Sequence, residues 1–447
     1  MRKQKLLALI FFFSLIAEDE TVLAYYKEMW TPARLMTWFT DFLPIKVQIF
    51  ELACVALLIA SRRRNRSAVA RPLVRAIYIS MTVLLFSVLY GLAQGGQLKP
   101  INTQVHVWLF TLVFALTTMS VMNKPEDFNL MNSAIVWAAL WRACMAVCFY
   151  LKVRGRPWDQ LPSYMTTHED TVLFVVGLLI LAARCIEFRT KRAVRMLILG
   201  APLILFAIQV NNRRLAWASL AAGLVVIYFM LPSKSKVTRR LNKALKMLAP
   251  LLILYVAIGW GRPEKMFKPL AAFSAMSGDQ ADNSTRARDN ENLSLITMIR
   301  DRPILGTGLG QQWVELDASF TVSADVFPMY HYSPHNTVLA LVAFCGGLGF
   351  AGLWMVLPIS VYLNSRTYRK SLNAVEKSVA VIGIVEVVAY LNQAWGDMAA
   401  MNNTHMLPAA ILGAGLASAA RLSVNSGAWP SVSKSRIPRN IAKPGIA

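Results

Sequence analysis

Apolar runs of roughly 16 to 25 residues recur along almost the whole chain, and this recurrence removes most architectures from consideration. A run of about 20 apolar residues crosses a bilayer as a helix. Hydrocarbon offers backbone N–H and C=O groups no outside partner, so the spanning element is either a helix or a closed barrel. Barrel strands alternate apolar and polar residues, and no such alternation occurs here. Charged residues make up 16% of the chain, against about 25% in soluble domains. Mean hydropathy is +0.45. The expected fold class is an all-α polytopic membrane protein.

Twelve spans are expected, near residues 6–24, 36–60, 76–94, 105–122, 133–151, 171–187, 194–210, 215–231, 246–260, 335–363, 378–396 and 405–420. A net charge of +23 would suit a nucleic-acid partner, but the placement of the charges argues against one. Short loops alternate between rich and poor in Lys and Arg. The rich set includes Arg2, Lys3 and Lys5, then Arg62, Arg63, Arg64, Arg66, Arg71 and Arg75, the 232–245 loop and the tail after 421. More than half of the 47 basic residues lie in this set. That asymmetry places both termini in the cytoplasm and makes membrane lipids, not nucleic acid, the surroundings of the charge. The stretch LLALIFFFSLIA could be a signal-peptide core, but Glu18, Asp19 and Glu20 follow it instead of a small-residue cleavage site. An uncleaved first span is therefore expected. Cys54, Cys144, Cys148, Cys185 and Cys345 fall within spans without a CxxC pair, which reads as small core hydrophobes with no disulfide and no metal site.

The division that follows is 1–260 for spans one to nine, 261–334 for one large loop, 335–420 for the last three spans and 421–447 for a basic cytoplasmic tail. Charge parity puts the 261–334 loop on the outer face, the periplasm of a bacterium. Within it, ENLSLITMIRDRPIL sets Leu293, Ile296 and Ile299 on one helical face, predicting an amphipathic helix against the membrane. Pro303 ends that helix, and Gly306, Gly308 and Gly310 make a tight turn.

Arginine on the outer side runs against the topological rule. Lys152, Arg154 and Arg156 read as an interfacial or solvated group. Arg213 and Arg214 lie in a short hairpin, NNRRLAW, where a guanidinium either reaches a lipid phosphate or snorkels to headgroups. Arg286 and Arg288 lie in STRARDNEN, and Arg288 could pair with Asp289 or Glu291. Ser333 and Pro334 read as N-cap and first helical residue, which puts His335 in the first turn of a span. The helix dipole there favours a neutral imidazole, suited to a general base or to a donor to an oxyanion; a histidine that caps the helix or anchors at the interface is the alternative. Glu386 and Arg142 lie inside spans, as functional groups or as buried pairs. Gly346 and Gly349 are spaced to let a neighbouring helix approach.

His335-Asn336, nine residues, Gly346, two residues and Gly349 together resemble the H-[N/S/Q]-x9-G-x-x-[G/T/Y] signature of bacterial O-antigen ligases and polysaccharide polymerases. RDRPILGTGLG looks like that family's PllGxG segment, and NNRRLAW resembles its Arg-x-x-Trp hairpin, with Arg214 and Trp217 in the matching places. The motifs cover residues 211 to 350. In this chain Asn292 stands where a tryptophan often follows the loop arginine, and STRARDNEN resembles a sub-group associated with polymerases. The resemblance implies a GT-C-like glycosyltransferase of about 12 transmembrane helices with one large periplasmic loop. It implies an inner-membrane enzyme that needs no cofactor and no metal. The implied donor is a glycan on undecaprenyl diphosphate, and the implied acceptor is lipid A–core or another lipid-linked glycan. By the same resemblance His335, Arg288 and Arg214 are the expected catalytic residues, with Arg213, Asn336 and Arg286 binding substrate. A transporter or flippase is the competing class, but neither inverted repeats nor broken midplane spans are evident.

Overall fold

With no partner in lipid, each apolar run must pair its own backbone groups, and in the computed structural model each described run does so as a helix. The structure describes residues 2–16, 49–62, 68–155, 165–260, 262, 267, 270, 283–317, 329–397 and 406–430. Among them no strand occurs. The helices are α1 (Arg2–Ile16), α2 (Ile49–Arg62), α3 (Arg71–Ala93), α4 (Leu98–Val121), α5 (Pro125–Val153), α6 (Asp170–Phe188) and α7 (Lys191–Asn211). They continue as α8 (Arg214–Met230), α9 (Lys236–Gly259), α10 (Asn283–Asp301), α11 (Thr337–Trp354), α12 (Val356–Lys370), α13 (Ala374–Gly396) and α14 (Met406–Asn425). Among the described residues eight helices, counting α11 with α12, are long and apolar enough to cross a membrane, and α2 and α8 are shorter apolar helices. The chain is a polytopic all-α membrane protein.

Helix α14 lies at the centre, flanked by α4, α12 and α13. Ala409, Ala410, Ala414, Ala417 and Ala420 along it are buried, and small side chains let neighbouring backbones approach. Helix α9 is the opposite case, with none of its apolar window buried. Its first turn starts at Lys236, where the Ser235 hydroxyl accepts from the Thr238 N–H at 3.0 Å. The basic segment expected as a 232–245 loop is therefore mostly helical.

Loops of the basic set gather at one end. There Gln4 donates to the Val121 carbonyl at 3.2 Å, Asn425 to Asn123 at 3.1 Å and Lys370 to Gly427 at 3.2 Å. At the other end, Gln97 N–H donates to Gly310 at 3.1 Å, and Asn211 bonds Thr166 and Thr167. The buried intramembrane arginine Arg142 pairs with Asp170 at 3.3 Å. Glu386 is buried against α14, away from the residues described next.

Candidate active site

Proline and glycine shape the approach to His335. Residues 303–310 leave α10 as a turn with Gly306, Gly308 and Gly310 all at positive φ. This turn docks into a break in α11 at Gly346, whose φ of 67° and ψ of 177° interrupt the helix. Helical pairing would send the N–H groups of Gly347 and Leu348 to Ala343 and Phe344. Instead they donate to Pro303 at 2.8 Å and Ile304 at 3.3 Å, while Ala343 and Phe344 accept from Thr307 and Gly308 at 2.9 Å each. A Cβ on Gly346 would lie 2.1 Å from the Ile304 carbonyl oxygen. The expected close neighbour of this glycine is thus the turn 303–308 and not a second helix. The expected uninterrupted span 335–363 becomes a kinked helix that continues through α12 to Lys370.

Gln104 of α4 ties both arms of the loop with one amide. Its Nε2 donates to the Tyr332 carbonyl and its Oε1 accepts from Gly310 N–H, each at 2.7 Å. Trp313, 1% exposed, donates its indole N–H to the Tyr330 carbonyl at 3.1 Å. Burial, together with the Glu315 and Glu291 carboxylates, pushes the Tyr330 phenol above its usual range and keeps it a proton donor.

The loop helix exists as expected, but its buried face is a different one. Glu291, Ser294, Leu295 and Met298 are buried, whereas Leu293 is 54% exposed. This face meets α11 and carries Glu291 to His335. Glu291 Oε1 accepts from the backbone N–H of His335 at 2.5 Å and of Asn336 at 3.3 Å, and Oε2 lies 2.9 Å from His335 Nδ1. A carboxylate offers acceptors, so the bond to Oε2 places a hydrogen on Nδ1 and leaves Nε2 as the outward nitrogen. The His335 side chain is 31% exposed, while that of Glu291 is 2% exposed.

The expected Ser333-Pro334 cap is not formed. Tyr330–Tyr332 close a 3-10 turn that takes the Ser333 N–H, and Glu291 holds the next two donors, so α11 starts only at Thr337. Asn336 is the true N-cap, accepting from Leu339 N–H at 3.1 Å. His335 lies ahead of the helix, so the expected first-turn dipole does not act on its ring; Glu291 is the group that holds it.

The remaining expected site residues divide. Arg288 stands one turn before Glu291 on α10, half-buried, and among the described residues it forms no ion pair; Glu291 is engaged with His335 instead. Arg214 donates to Thr285 Oγ1 at 3.4 Å, which joins the hairpin to the start of α10. Arg213 is the half-buried N-cap of α8. Arg286 is exposed and well round the helix from Glu291. Asn336 is 3% exposed, and its amide also donates to Asn292 Oδ1 at 3.0 Å, so its side chain serves the helix junction. Among the described residues no group of three His, Cys, Asp or Glu could hold a metal ion. Glu291 and Gln104 were missed by the sequence reading. The available signal was Glu291 at helical spacing from Leu295 and Met298, an acid on an apolar stripe.

Residues 196–354 match the family model described as O-antigen ligase. This stretch holds the hairpin, α10, the docking turn, His335 and the Gly346 break. No curated protein matches the chain.

Proposed function

We propose that this chain, which carries the O-antigen ligase family's domain over residues 196–354, moves a glycan from undecaprenyl diphosphate to an acceptor hydroxyl at the periplasmic face of the inner membrane. The observation that carries this reading is the Glu291 carboxylate, which holds His335 by both its backbone N–H and its Nδ1. A base oriented in this way has one tautomer and one open direction.

In this reading, His335 Nε2 takes the proton of the acceptor hydroxyl. The acceptor oxygen forms its bond to the anomeric carbon as the bond from that carbon to the diphosphate oxygen breaks, with inversion. The diphosphate leaves with the bonding pair. Arg288 and Arg214, brought onto one side by the Arg214–Thr285 contact, balance the charge that develops on it. The imidazolium then returns its proton to solvent. Glu291, Asn292 and Asn336 are positioning residues. The acceptor is lipid A–core in the ligase reading; joining two lipid-linked repeats is the alternative, supported by the polymerase-like STRARDNEN pattern.

The test is transfer of lipid-linked glycan by the purified protein in nanodiscs. His335→Ala is expected to lower turnover by about three orders of magnitude, and near wild-type transfer would remove the base. A gene deletion read on surface-glycan gels separates the acceptors. Bare lipid A–core beside full-length lipid-linked polymer marks a ligase, and single repeats mark a polymerase.

A further inference from the structure

A second imidazole–carboxylate pair lies at the same end of the bundle, outside the stretch matched to the family. His168 Nδ1 is 3.0 Å from Asp397 Oδ2, which also accepts from Gln393 Nε2 at 2.9 Å. The Asp397 carbonyl accepts from Thr337 Oγ1 at 3.2 Å, two residues after His335. On the other flank, Asn211 bonds the backbone of Thr166 and Thr167 at 3.1 and 3.2 Å, which ties the segment to the arginine hairpin. The pair therefore lies between the two halves of the proposed active site.

Pinning the 165–170 segment does not require this pair. Asn211 clamps it from one side, and Arg142 holds Asp170 from the other. The His168 side chain is 44% exposed although its carboxylate partner is 9% exposed, so the pair presents a ring edge outward. Three buried oxygens close by in sequence or contact, Gln393 Oε1, Thr166 Oγ1 and Thr167 Oγ1, lack a hydrogen-bond partner. Buried polar atoms are nearly always satisfied, so this end of the bundle retains unused hydrogen-bonding capacity beside the pair. Gln393 itself is 1% exposed.

We propose that His168, Asp397 and Gln393 form a subsite for the hydroxyl groups of a sugar ring. Sugar hydroxyls both donate and accept, and the exposed His168 ring edge meets them while Asp397 and Gln393 behind it hold the ring in place. A diphosphate is the wrong occupant, because Asp397 lies within the cluster and Glu169 beside it, and like charges repel at this range. The subsite rests on the transferase reading above and names where that reaction holds its glycan.

The experiment uses the full chain in nanodiscs, with lipid-linked glycan extracted from the source strain as donor. Purified lipid A–core, or a second lipid-linked repeat, serves as acceptor. His168→Ala is expected to raise KM for one glycan substrate about tenfold with kcat within twofold; the substrate affected identifies which sugar occupies the site. His168→Asn, which keeps a donor and an acceptor, is expected to recover most of that loss. Unchanged KM for both substrates in His168→Ala, or a fall in kcat alone, would overturn the subsite. An unfolding midpoint matched to wild type excludes fold damage, and Gln393→Met gives a second variant if His168→Ala is unstable. His335→Ala run in parallel keeps the two ideas apart. Transfer surviving that change refutes the active-site reading, whereas loss there with a silent His168→Ala refutes only the subsite.

Discussion

Arg421 and Arg184 at the basic end and Arg288 at the site end are used in opposite ways. At the basic end, Arg421 is 3% exposed and turns inward, its Nε 2.7 Å from the Met119 carbonyl, with Nη2 donating to the same oxygen. Arg184 likewise gives its Nη2 to the Asn129 carbonyl at 2.7 Å and to the side chains of Asn129 and Ser133. At the site end, Arg288 forms no ion pair among the described residues although Glu291 is one turn away. The acid there is claimed by His335. A guanidinium capped by carbonyls holds helices together, whereas one left beside an occupied carboxylate remains available to an anion.

Exchanging the two roles by mutation tests that contrast most severely. Arg288→Ala is expected to lower transfer by about 10²–10³, equivalent to roughly 3–4 kcal/mol of barrier, in line with loss of a group that balances developing charge. Its unfolding midpoint should stay at the wild-type value. A stability loss with full specific activity would place Arg288 with the structural arginines.

The docking turn gives the next largest effect. Gly346→Ala puts a side chain at a positive φ and against the Ile304 carbonyl. The expected destabilisation is about 3 kcal/mol, read from unfolding in detergent, with transfer falling as the turn 303–308 is displaced. If the variant unfolds like wild type, the turn does not depend on this break. Arg421→Ala should cost about 2 kcal/mol by stranding the Met119 carbonyl, with the specific activity of the folded fraction unchanged.

The contrast between ends also explains what was legible in the sequence. Hydrophobic length is a local property, so a polytopic all-α chain and spans such as 171–187 could be read directly from the sequence. Eight of the twelve expected spans stand among the described residues as helices long and apolar enough to cross. The approach to His335 depends on contacts across 44 residues, where local propensity points elsewhere. Ser333-Pro334 has the composition of a cap, yet Glu291 takes the N–H groups that a helix would otherwise begin with. On α10 two apolar stripes compete, and Leu293-Ile296-Ile299 looks the greasier, but the stripe bearing the acid is the one that packs because Glu291 finds three donors there. Gly346 reads as a helix-contact glycine until its φ is known. His335, Arg288 and Arg214 were marked by motif; Glu291, whose carboxylate holds His335, was not.

The smallest expected effect comes from Asn336, and it asks how far the site end tolerates a loosened junction. Its Oδ1 caps α11 through Leu339 N–H, and its amide donates to Asn292 on α10. Asn336→Ala removes the cap, a loss of about 1 kcal/mol, while Glu291 keeps its backbone bond to His335. Transfer should then fall only a fewfold, with kcat affected more than KM, because the imidazole keeps its tautomer but loses part of its support. Asn336→Ser, able to cap but too short to reach Asn292, separates the two jobs. Recovery of stability without recovery of kcat would assign the Asn336–Asn292 bond to aligning α10 with His335, the proposed base. Recovery of both would leave Asn336 a cap alone, and Glu291 would then be the main link carrying the arginine helix to the histidine.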